Sequence, residues 1–280
     1  MNKATLGSIY QEALKKVDDK NVFQRDILFL MEEEFSINRN DIFINDNKEY
    51  FTEDFRKKLD RLSNGEPVEY IVNKAYFYKR YFYVNENTLI PRNETEELIE
   101  KTITYLNRYN ISSPSIVEVG SGSGCIAITL GLEVHGSKVD SYDISNGALE
   151  VASINNDRMG THVSFYRGDC LKEAIKKKNK YDLIISNPPY IDRDTYVQES
   201  VKMYEPELAL YADNHGLAIY EELFMEIPLC AKEKCLIALE ISPDLKERLS
   251  EIAIKYLKDY KFWFENDMNG FVRFMFLIKE

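Results

Sequence analysis

The chain has 280 residues, of which 44% are hydrophobic and 30% are charged. This balance is typical of a globular protein and excludes a largely disordered chain, while the length favours two domains over one. The formal net charge of -11 disfavours a nucleic-acid substrate, because phosphates would be repelled. No stretch approaches the ~20 apolar residues that cross a bilayer, so we expect a cytoplasmic protein that does not bind membranes.

The cysteines and histidines do not have the spacing of a metal site. Four cysteines and three histidines are scattered along the chain, and no CxxC pair occurs. This spacing fits neither a zinc site nor a disulfide framework. We therefore expect no metal, and reduced cysteines that fill apolar space.

Residues 1–72 are predicted to form a small, all-helical N-terminal domain. Apolar residues recur there at helical spacing, as at Leu6, Ile9 and Ala13. The sequence Asn64-Gly65, followed by Pro67, ends the last helix and indicates a domain boundary. Residues 73–92 form the linker, and their aromatic stretch 75–85 predicts a β-hairpin.

Residues 93–280 alternate between helical and strand patterns, which indicates a mainly parallel, Rossmann-like α/β sheet. We predict a helix over 94–109 and seven strands, at residues 116–119, 138–143, 163–166, 183–186, 236–241, 261–264 and 271–278. The turn before the last strand is too short for a parallel crossover, so that strand must be antiparallel to its predecessor.

The ends of the first three predicted strands carry candidate ligand-binding residues. The first strand runs into a glycine-rich turn, whose candidates are Glu118, Gly120, Ser121, Gly122, Ser123 and Gly124. The spacing is GxGxG, without the features of a dinucleotide or P-loop motif, so the ligand need not be a phosphate. Asp143 could accept ribose hydroxyl groups, and Asp169 could accept from an adenine amino group. Each Asp alone is commonly a cap or turn residue, but together these strand ends define one crevice.

The fourth strand of the sheet is followed by Asn187-Pro188-Pro189-Tyr190, which we call the clamp. Its two prolines lack N–H groups and stiffen the backbone, so the segment presents acceptors for a planar NH₂ group. The Asn187 side-chain oxygen and the Pro188 carbonyl could orient such a nitrogen for methylation, and Tyr190 could stack on it. The alternative interpretation is a polar turn after a strand.

These motifs make the chain resemble the bacterial and organellar release-factor glutamine methyltransferases, which modify the glutamine of the Gly-Gly-Gln loop of peptide chain release factors. The resemblance covers nearly the whole chain and includes three further segments: residues 65–71, Leu89 to Arg92 with Thr95-Glu96, and Tyr204-Glu205-Pro206. It implies a class I methyltransferase fold with S-adenosylmethionine as cofactor. It also implies cofactor contacts at Gly120, Gly122, Gly124, Asp143 and Cys170, and a glutamine held by the clamp. Asn187 would touch both ligands, and Arg92 and Glu96 would contact substrate or cofactor, unless they are only helix-start residues.

Several positions depart from the family pattern, all of them outside the clamp. Asn93 stands where a proline is usual, Cys170 is smaller than the usual neighbour of the adenine, and Lys232-Glu233-Lys234 replaces a Pro-Gly-Gly turn. Glu240-Ile241-Ser242 also lacks the glycine that is expected to follow it. We expect these changes to affect cofactor affinity and loop shape rather than the reaction.

Three other functions remain open on the sequence. Adenine-N6 DNA methyltransferases share the clamp sequence but usually have a basic face, and this chain has one evident lysine cluster, at 176–178. A ribosomal-protein glutamine methyltransferase would have the same catalytic residues. A non-enzymatic adaptor would not need a complete clamp and crevice. We expect a monomer whose N-terminal domain recognises the release factor.

Overall fold

The computed structural model describes residues 3–17, 22–44 and 47–280, which form two compact units. The first unit falls within residues 1–74 and 198–204, and the second comprises residues 75–197 and 205–280. Within the described part of the chain, no helix is both long enough and apolar enough to cross a membrane.

The helices and strands are as follows. The helices are α1 (Leu6–Val17), α2 (Gln24–Phe35), α3 (Glu53–Ser63), α4 (Val68–Val72), α5 (Asn93–Arg108), α6 (Cys125–Glu133), α7 (Asn146–Met159), α8 (Lys172–Lys176), α9 (Glu199–Tyr204), α10 (Glu207–Leu210), α11 (Asp213–Gly216), α12 (Ala218–Cys230) and α13 (Lys246–Tyr256). The strands are β1 (Lys3–Thr5), β2 (Glu49–Phe51), β3 (Ala75–Phe77), β4 (Arg80–Phe82), β5 (Ser115–Val119), β6 (Lys138–Asp143), β7 (Ser164–Arg167), β8 (Tyr181–Ser186), β9 (Ala231–Glu240), β10 (Lys261–Asn266) and β11 (Val272–Lys279). Two 3₁₀ turns lie at Arg39–Phe43 and Pro243–Leu245.

The first unit is helical, as predicted, and α1 to α4 surround its own apolar core. It also contains a short ribbon in which β1 and β2 pair antiparallel. Each strand has only three residues, which is too short for an alternating pattern to reveal in the sequence. Helix α3 ends at the predicted position, and Gly65 adopts a φ of +90° directly after it.

The predicted hairpin is confirmed, because β3 and β4 pair antiparallel with Ala75 opposite Phe82. Phe77 and Phe82 are buried on one face of the hairpin. Tyr76 and Tyr81 stand opposite each other on its exposed face, with ring centroids 5.3 Å apart. The alternation of buried and exposed aromatics is the period-two pattern of a half-buried strand pair.

The second unit is built on a seven-stranded sheet with the order β10-β11-β9-β8-β5-β6-β7. All seven predicted strands are present. The five strands from β7 to β9 in this order are parallel, and β11 lies between β9 and β10 and is antiparallel to both. Two apolar cores flank the sheet, because alternate side chains of its central strands point to opposite faces and helices cover both.

Strand β9 begins earlier than predicted and includes the Lys232-Glu233-Lys234 segment. The Lys232 ammonium donates to Asp182 Oδ2 at 2.7 Å and to Ser115 Oγ at 3.1 Å. These contacts tie the charged start of β9 to two neighbouring strands. A hydrophobic pattern alone therefore places the start of this strand too late.

The order of the central strands creates a crevice. From β5 the chain continues to β6 and β7 on one side and then crosses to β8 on the other side of β5, so the strand order reverses at β5. Ligands bind at such a switch point, beyond the carboxyl ends of parallel strands. The glycine-rich turn, Asp143 and the clamp all follow strands that end at this edge.

Candidate active site

A cavity of about 440 Å³ opens at the carboxyl ends of β5, β6 and β8. Its volume lies within the range of small-molecule sites. It brings together most of the sequence-predicted site residues: Arg92, Glu118, Gly120, Ser121, Gly122, Ser123, Asp143, Asp169, Cys170, Asn187, Pro188 and Pro189.

The glycines of the turn have two different tasks. Gly122 has a φ of +51°, and a Cβ built on it would meet no atom within 4 Å, so its backbone is open to a ligand. Gly124 also has a positive φ, but a Cβ there would lie 3.0 to 3.2 Å from Ile128, Ala152 and Phe165. Gly124 does not line the cavity and instead allows α6 to pack closely against its neighbours.

Asp143 joins the glycine-rich turn to the end of β6. Its Oδ2 accepts from the Gly122 N–H at 2.9 Å, and its Oδ1 accepts from the Ser145 N–H at 2.8 Å. Burial raises the pKa of Asp143, and these backbone donors act in the opposite direction. Each carboxylate oxygen keeps a second acceptor site, so the residue can still bind ligand hydroxyl groups.

Glu118 is a buried carboxyl group with one unpartnered oxygen. Its Oε2 accepts from Ser141 Oγ at 2.5 Å, and Ser141 Oγ lies 2.7 Å from Ser121 Oγ. Its Oε1 has no hydrogen-bond partner among the described residues, and neither has the nearby Ser123 Oγ. Burial raises the pKa of Glu118 to about 8. A buried carboxyl with a free oxygen is unfavourable unless a ligand supplies a donor or a cation.

Asp169 and Cys170 lie just beyond β7 and line the cavity on that side. The Lys172 ammonium contacts both Asp169 and Glu222. Cys170 Sγ donates to Glu222 Oε2 at 3.5 Å, and burial raises the pKa of its thiol. The ligand atoms of Asp169, Cys170 and Glu222 lie within 4.8 Å of one another. The Lys172 ammonium therefore balances the negative charge of the Asp169 and Glu222 carboxylates.

The clamp lies at the opposite end, after β8. Ser186 Oγ donates to the Val119 carbonyl at 2.7 Å and fixes the end of β8 to β5. The Asn187 side chain donates from Nδ2 to Thr95 Oγ1 at 3.1 Å. Its Oδ1 is therefore left to accept a hydrogen bond on the side of the cavity that Asn187 lines.

Arg92 lines the cavity as part of an ion pair. Its Nη2 donates to Glu205 Oε1 at 2.5 Å, and the Ile90 N–H donates to Glu205 Oε2 at 3.2 Å. The Glu205 carboxylate is buried, with 1% of its side chain exposed. The pair therefore fixes the segment before α5 against the cavity wall.

Besides Gly124, two predicted site residues, Glu96 and Tyr190, do not line this cavity. Glu96 Oε1 accepts from the Tyr78 N–H at 2.9 Å, so its side chain holds the β3–β4 turn instead of a ligand. Tyr190 packs against the core beneath the sheet and lines a second cavity of about 340 Å³. Burial raises the pKa of Tyr190 to about 12, which keeps its hydroxyl protonated. The stacking of Tyr190 on a substrate amide stays a prediction.

Several residues that support the site were not predicted to have a role. Thr95 and Ser141 hold Asn187 and Glu118, Glu205 pairs with Arg92, and Gly216 packs against the backbone of the clamp. Thr95 and Glu205 stand within segments that carry the family resemblance, which was the only signal for them. Ser141 and Gly216 have no sequence signal, because their roles depend on which elements meet in space.

The charges of the cavity wall favour a cationic ligand. The described wall includes four acidic residues, Glu86, Glu118, Asp143 and Asp169, and one basic residue, Arg92, which is paired with Glu205. Asp169 is likewise paired with Lys172, and burial keeps Glu118 mainly neutral until a cation lies beside it. A site lined mainly by acids raises the local concentration of cations and disfavours phosphates.

Comparison with known proteins identifies the family. Residues 101–204 match the family model of the methyltransferase small domain. A methyltransferase from Pyrococcus furiosus has the same fold, with a TM-score of 0.54 at 14% identity, and the match covers 82% of this chain and 99% of that chain. The release factor glutamine methyltransferase of Bacillus subtilis is 38% identical over 77% of this chain and 76% of its own length. That of Staphylococcus aureus is 36% identical over 92% of this chain and 94% of its own length. The chain therefore belongs to the release factor glutamine methyltransferase family.

Proposed function

We propose that this chain transfers a methyl group from S-adenosylmethionine to the side-chain amide nitrogen of the glutamine in the Gly-Gly-Gln motif of a peptide chain release factor. The observation that carries the proposal is the Asn187 amide. It lies at the edge of the cavity with its NH₂ bonded to Thr95, so its oxygen can accept from a substrate N–H. Membership of the family selects glutamine among the planar NH₂ groups that such an acceptor could hold.

The residues of the cavity fit S-adenosylmethionine, which carries a sulfonium and an ammonium group. The acidic wall suits these charges, and the unpartnered Glu118 Oε1 and Ser123 Oγ offer buried acceptors. Asp143 would bind the ribose hydroxyls, and the open backbone at Gly122 would allow close approach. Asp169 and Cys170 would lie at the adenine end.

The cofactor, when bound, supplies an electrophilic methyl group. The chain's own task is to orient a poor nucleophile, because the amide lone pair is delocalised into the carbonyl. Asn187 Oδ1 and the Pro188 carbonyl would accept the two N–H hydrogens and direct the nitrogen toward the methyl donor. The same two acceptors would stabilise the positive charge that develops on the nitrogen as its bond to the methyl group forms and the methyl–sulfur bond breaks. The nitrogen would then lose one N–H proton to solvent. The two prolines keep these acceptors rigid.

Two other substrates are less compatible with these observations. An adenine in DNA would bring phosphates toward a chain of net charge -11 and toward an acidic cavity. A glutamine of a ribosomal protein would fit the clamp equally well. The similarity to release factor glutamine methyltransferases favours the glutamine of a release factor over it.

The first unit would recognise the release factor. A glutamine side chain held by two hydrogen bonds supplies only a few kcal/mol, so selection of one protein needs a second surface. All residues that line the cavity belong to the second unit, which leaves the first free for this task. We also propose that the enzyme acts as a monomer in the cytoplasm, where release factors work.

The proposal is tested by offering labelled S-adenosylmethionine with three acceptors side by side: a purified release factor, purified ribosomal proteins, and adenine-containing DNA. We expect label in the release factor, and no label when its Gly-Gly-Gln glutamine is replaced. Label only in the ribosomal proteins or only in DNA would assign the enzyme to one of the other two classes.

A further inference from the structure

Asn187, Thr95 and Glu240 form a chain of hydrogen bonds that leads from the cavity into the protein interior. Asn187 Nδ2 donates to Thr95 Oγ1 at 3.1 Å, and the Thr95 hydroxyl donates to Glu240 Oε2 at 2.7 Å. Thr95 and Glu240 are each 2% exposed. The hydrogen bond between Thr95 and Glu240 is therefore shielded from bulk water.

Three separate elements supply these residues. Thr95 lies in the first turn of α5, Glu240 is the last residue of β9, and Asn187 directly follows β8. The Glu240 backbone is itself fixed, because its carbonyl accepts from the Tyr220 hydroxyl at 2.7 Å. The contacts thus depend on the packing of α5 on the ends of two neighbouring strands.

Which group donates and which accepts in these hydrogen bonds follows from the chemistry of the three side chains. An ionised carboxylate can only accept, so Thr95 must use its single hydroxyl hydrogen toward Glu240. Thr95 Oγ1 then has only acceptor sites left for Asn187, which must present its NH₂. The two ends of a carboxamide have nearly the same shape, so without such a partner it could rotate and expose the wrong end.

We propose that Thr95 and Glu240 are positioning residues for methyl transfer, which hold the Asn187 amide so that its oxygen faces the substrate nitrogen. The inference rests on the proposed function, since it concerns how the acceptor of the substrate N–H is oriented. Thr95 also lines the cavity, but its hydroxyl is bonded to Asn187 and Glu240, and Glu240 lies behind it. Both act through Asn187.

Protonation of Glu240 would reverse the donor and acceptor roles in this series of hydrogen bonds. A carboxylic acid would donate to Thr95, and Thr95 would then donate to Asn187 Oδ1, which turns the NH₂ toward the substrate. Burial raises the pKa of Glu240 to about 7, so both states occur near neutral pH. The charged and ionisable side chains around it are Arg92, Arg273, Glu94, Tyr190 and Tyr220. The two arginines favour the ionised form, and Glu94 disfavours it.

The test compares Thr95→Val with Thr95→Ser and with a matched control, Thr102→Val. Thr102 lies on the same helix and is fully buried, and its hydroxyl donates to the Leu98 carbonyl one turn earlier. We expect Thr95→Val to lower kcat about 10- to 100-fold, as for the loss of an orienting partner, with little change in cofactor affinity. Thr95→Ser should restore turnover, and Thr102→Val should keep it.

Glu240→Gln supplies an independent readout. In the wild type, kcat at saturating substrates should fall as the pH drops through about 7, and this decline should be absent in the variant. The side-chain amide resonances of Asn187 in ¹H–¹⁵N spectra should shift over the same pH range in the wild type only. This spectrum requires no methyl transfer, so it tests the inference even if the acceptor is another molecule.

Equal kcat for Thr95→Val and Thr102→Val would overturn the inference. Asn187 resonances that titrate in the same way in wild type and Glu240→Gln would also overturn it. Failure of the wild type to methylate any release factor would instead count against the proposed function.

Discussion

Glu118 illustrates how a single residue can reveal a ligand. One of its carboxyl oxygens accepts from Ser141, and the other has no partner within the described chain although the residue is 1% exposed. Burial raises its pKa to about 8, so without a ligand beside it Glu118 is mainly the neutral acid at neutral pH. A cationic ligand beside Oε1 would favour the ionised form and would lower this pKa again.

We therefore expect the affinity for S-adenosylmethionine to rise with pH until about pH 8. Below this value a proton must leave Glu118 when the cofactor binds, which weakens binding by up to about tenfold per pH unit. Calorimetry across this range measures the effect. Glu118→Gln should bind more weakly and show no such dependence, and a wild-type affinity that is constant below pH 8 would contradict the role of Glu118.

The sequence predicted the residues whose chemistry is visible locally. Glycines in a turn, an acid at a strand end and an Asn before two prolines each carry their own signal, and the structure brings most of them to one cavity. Tyr190 and Glu96 lie outside the cavity wall, which the sequence could not show because a position in the chain does not reveal where a side chain points. Thr95 was not given its role because its partners lie 92 and 145 residues away.

At the scale of elements, the segment from α10 to α11 frames the clamp through backbone contacts. The Ile191 N–H donates to the Leu210 carbonyl at 3.0 Å, and the Ala212 N–H donates to the Ile191 carbonyl at 3.0 Å. Gly216 has a φ of +83°, and a Cβ built on it would lie 2.2 Å from the Tyr190 carbonyl oxygen. No side chain fits there without moving the clamp.

Gly216→Ala should therefore lower turnover by displacing the clamp. Gly270→Ala is a matched control, because Gly270 has a φ of +86° but nothing within 4 Å of the Cβ position. Both variants should lose about 1 to 2 kcal/mol of folding free energy from the left-handed backbone. Only Gly216→Ala should lose more folding free energy than this and show a reduced kcat. Thermal unfolding measures the first effect and a turnover assay the second. A normal kcat in a folded Gly216→Ala protein would mean that the clamp does not depend on this contact.

Most of the sheet could be predicted because its strands and helices carry distinct periodicities. The short turn between β10 and β11 required an antiparallel last pair, which the structure confirms. Two features could not be predicted. The β1–β2 ribbon is too short for a pattern, and the charged start of β9 is fixed by Lys232 contacts to other strands.

At the scale of the whole molecule, we propose that the first unit recognises the release factor and the second unit carries out methyl transfer. The first unit has its own core, and every residue of the cavity wall belongs to the second. Removal of residues 1–74 should raise the KM for an intact release factor at least about tenfold, equivalent to ~1.4 kcal/mol of recognition. Activity on a short Gly-Gly-Gln peptide should change much less.

The truncated protein must first be shown to fold, by circular dichroism and by retained cofactor binding. Equal losses on both substrates in a folded protein would mean that the first unit only stabilises the second. The recognition role would then be wrong, although the chemistry assigned to the second unit would stand.

The central claim is that Asn187 holds the substrate amide for transfer, and its most direct test is the turnover of Asn187→Ala on a release factor. Loss of one preorganised polar group at the reacting centre should lower kcat by about 100-fold or more. Cofactor affinity, measured on the same preparation, should remain close to that of the wild type. Near-normal turnover of Asn187→Ala at saturating release factor would contradict the account, because the clamp would then be only a turn after β8.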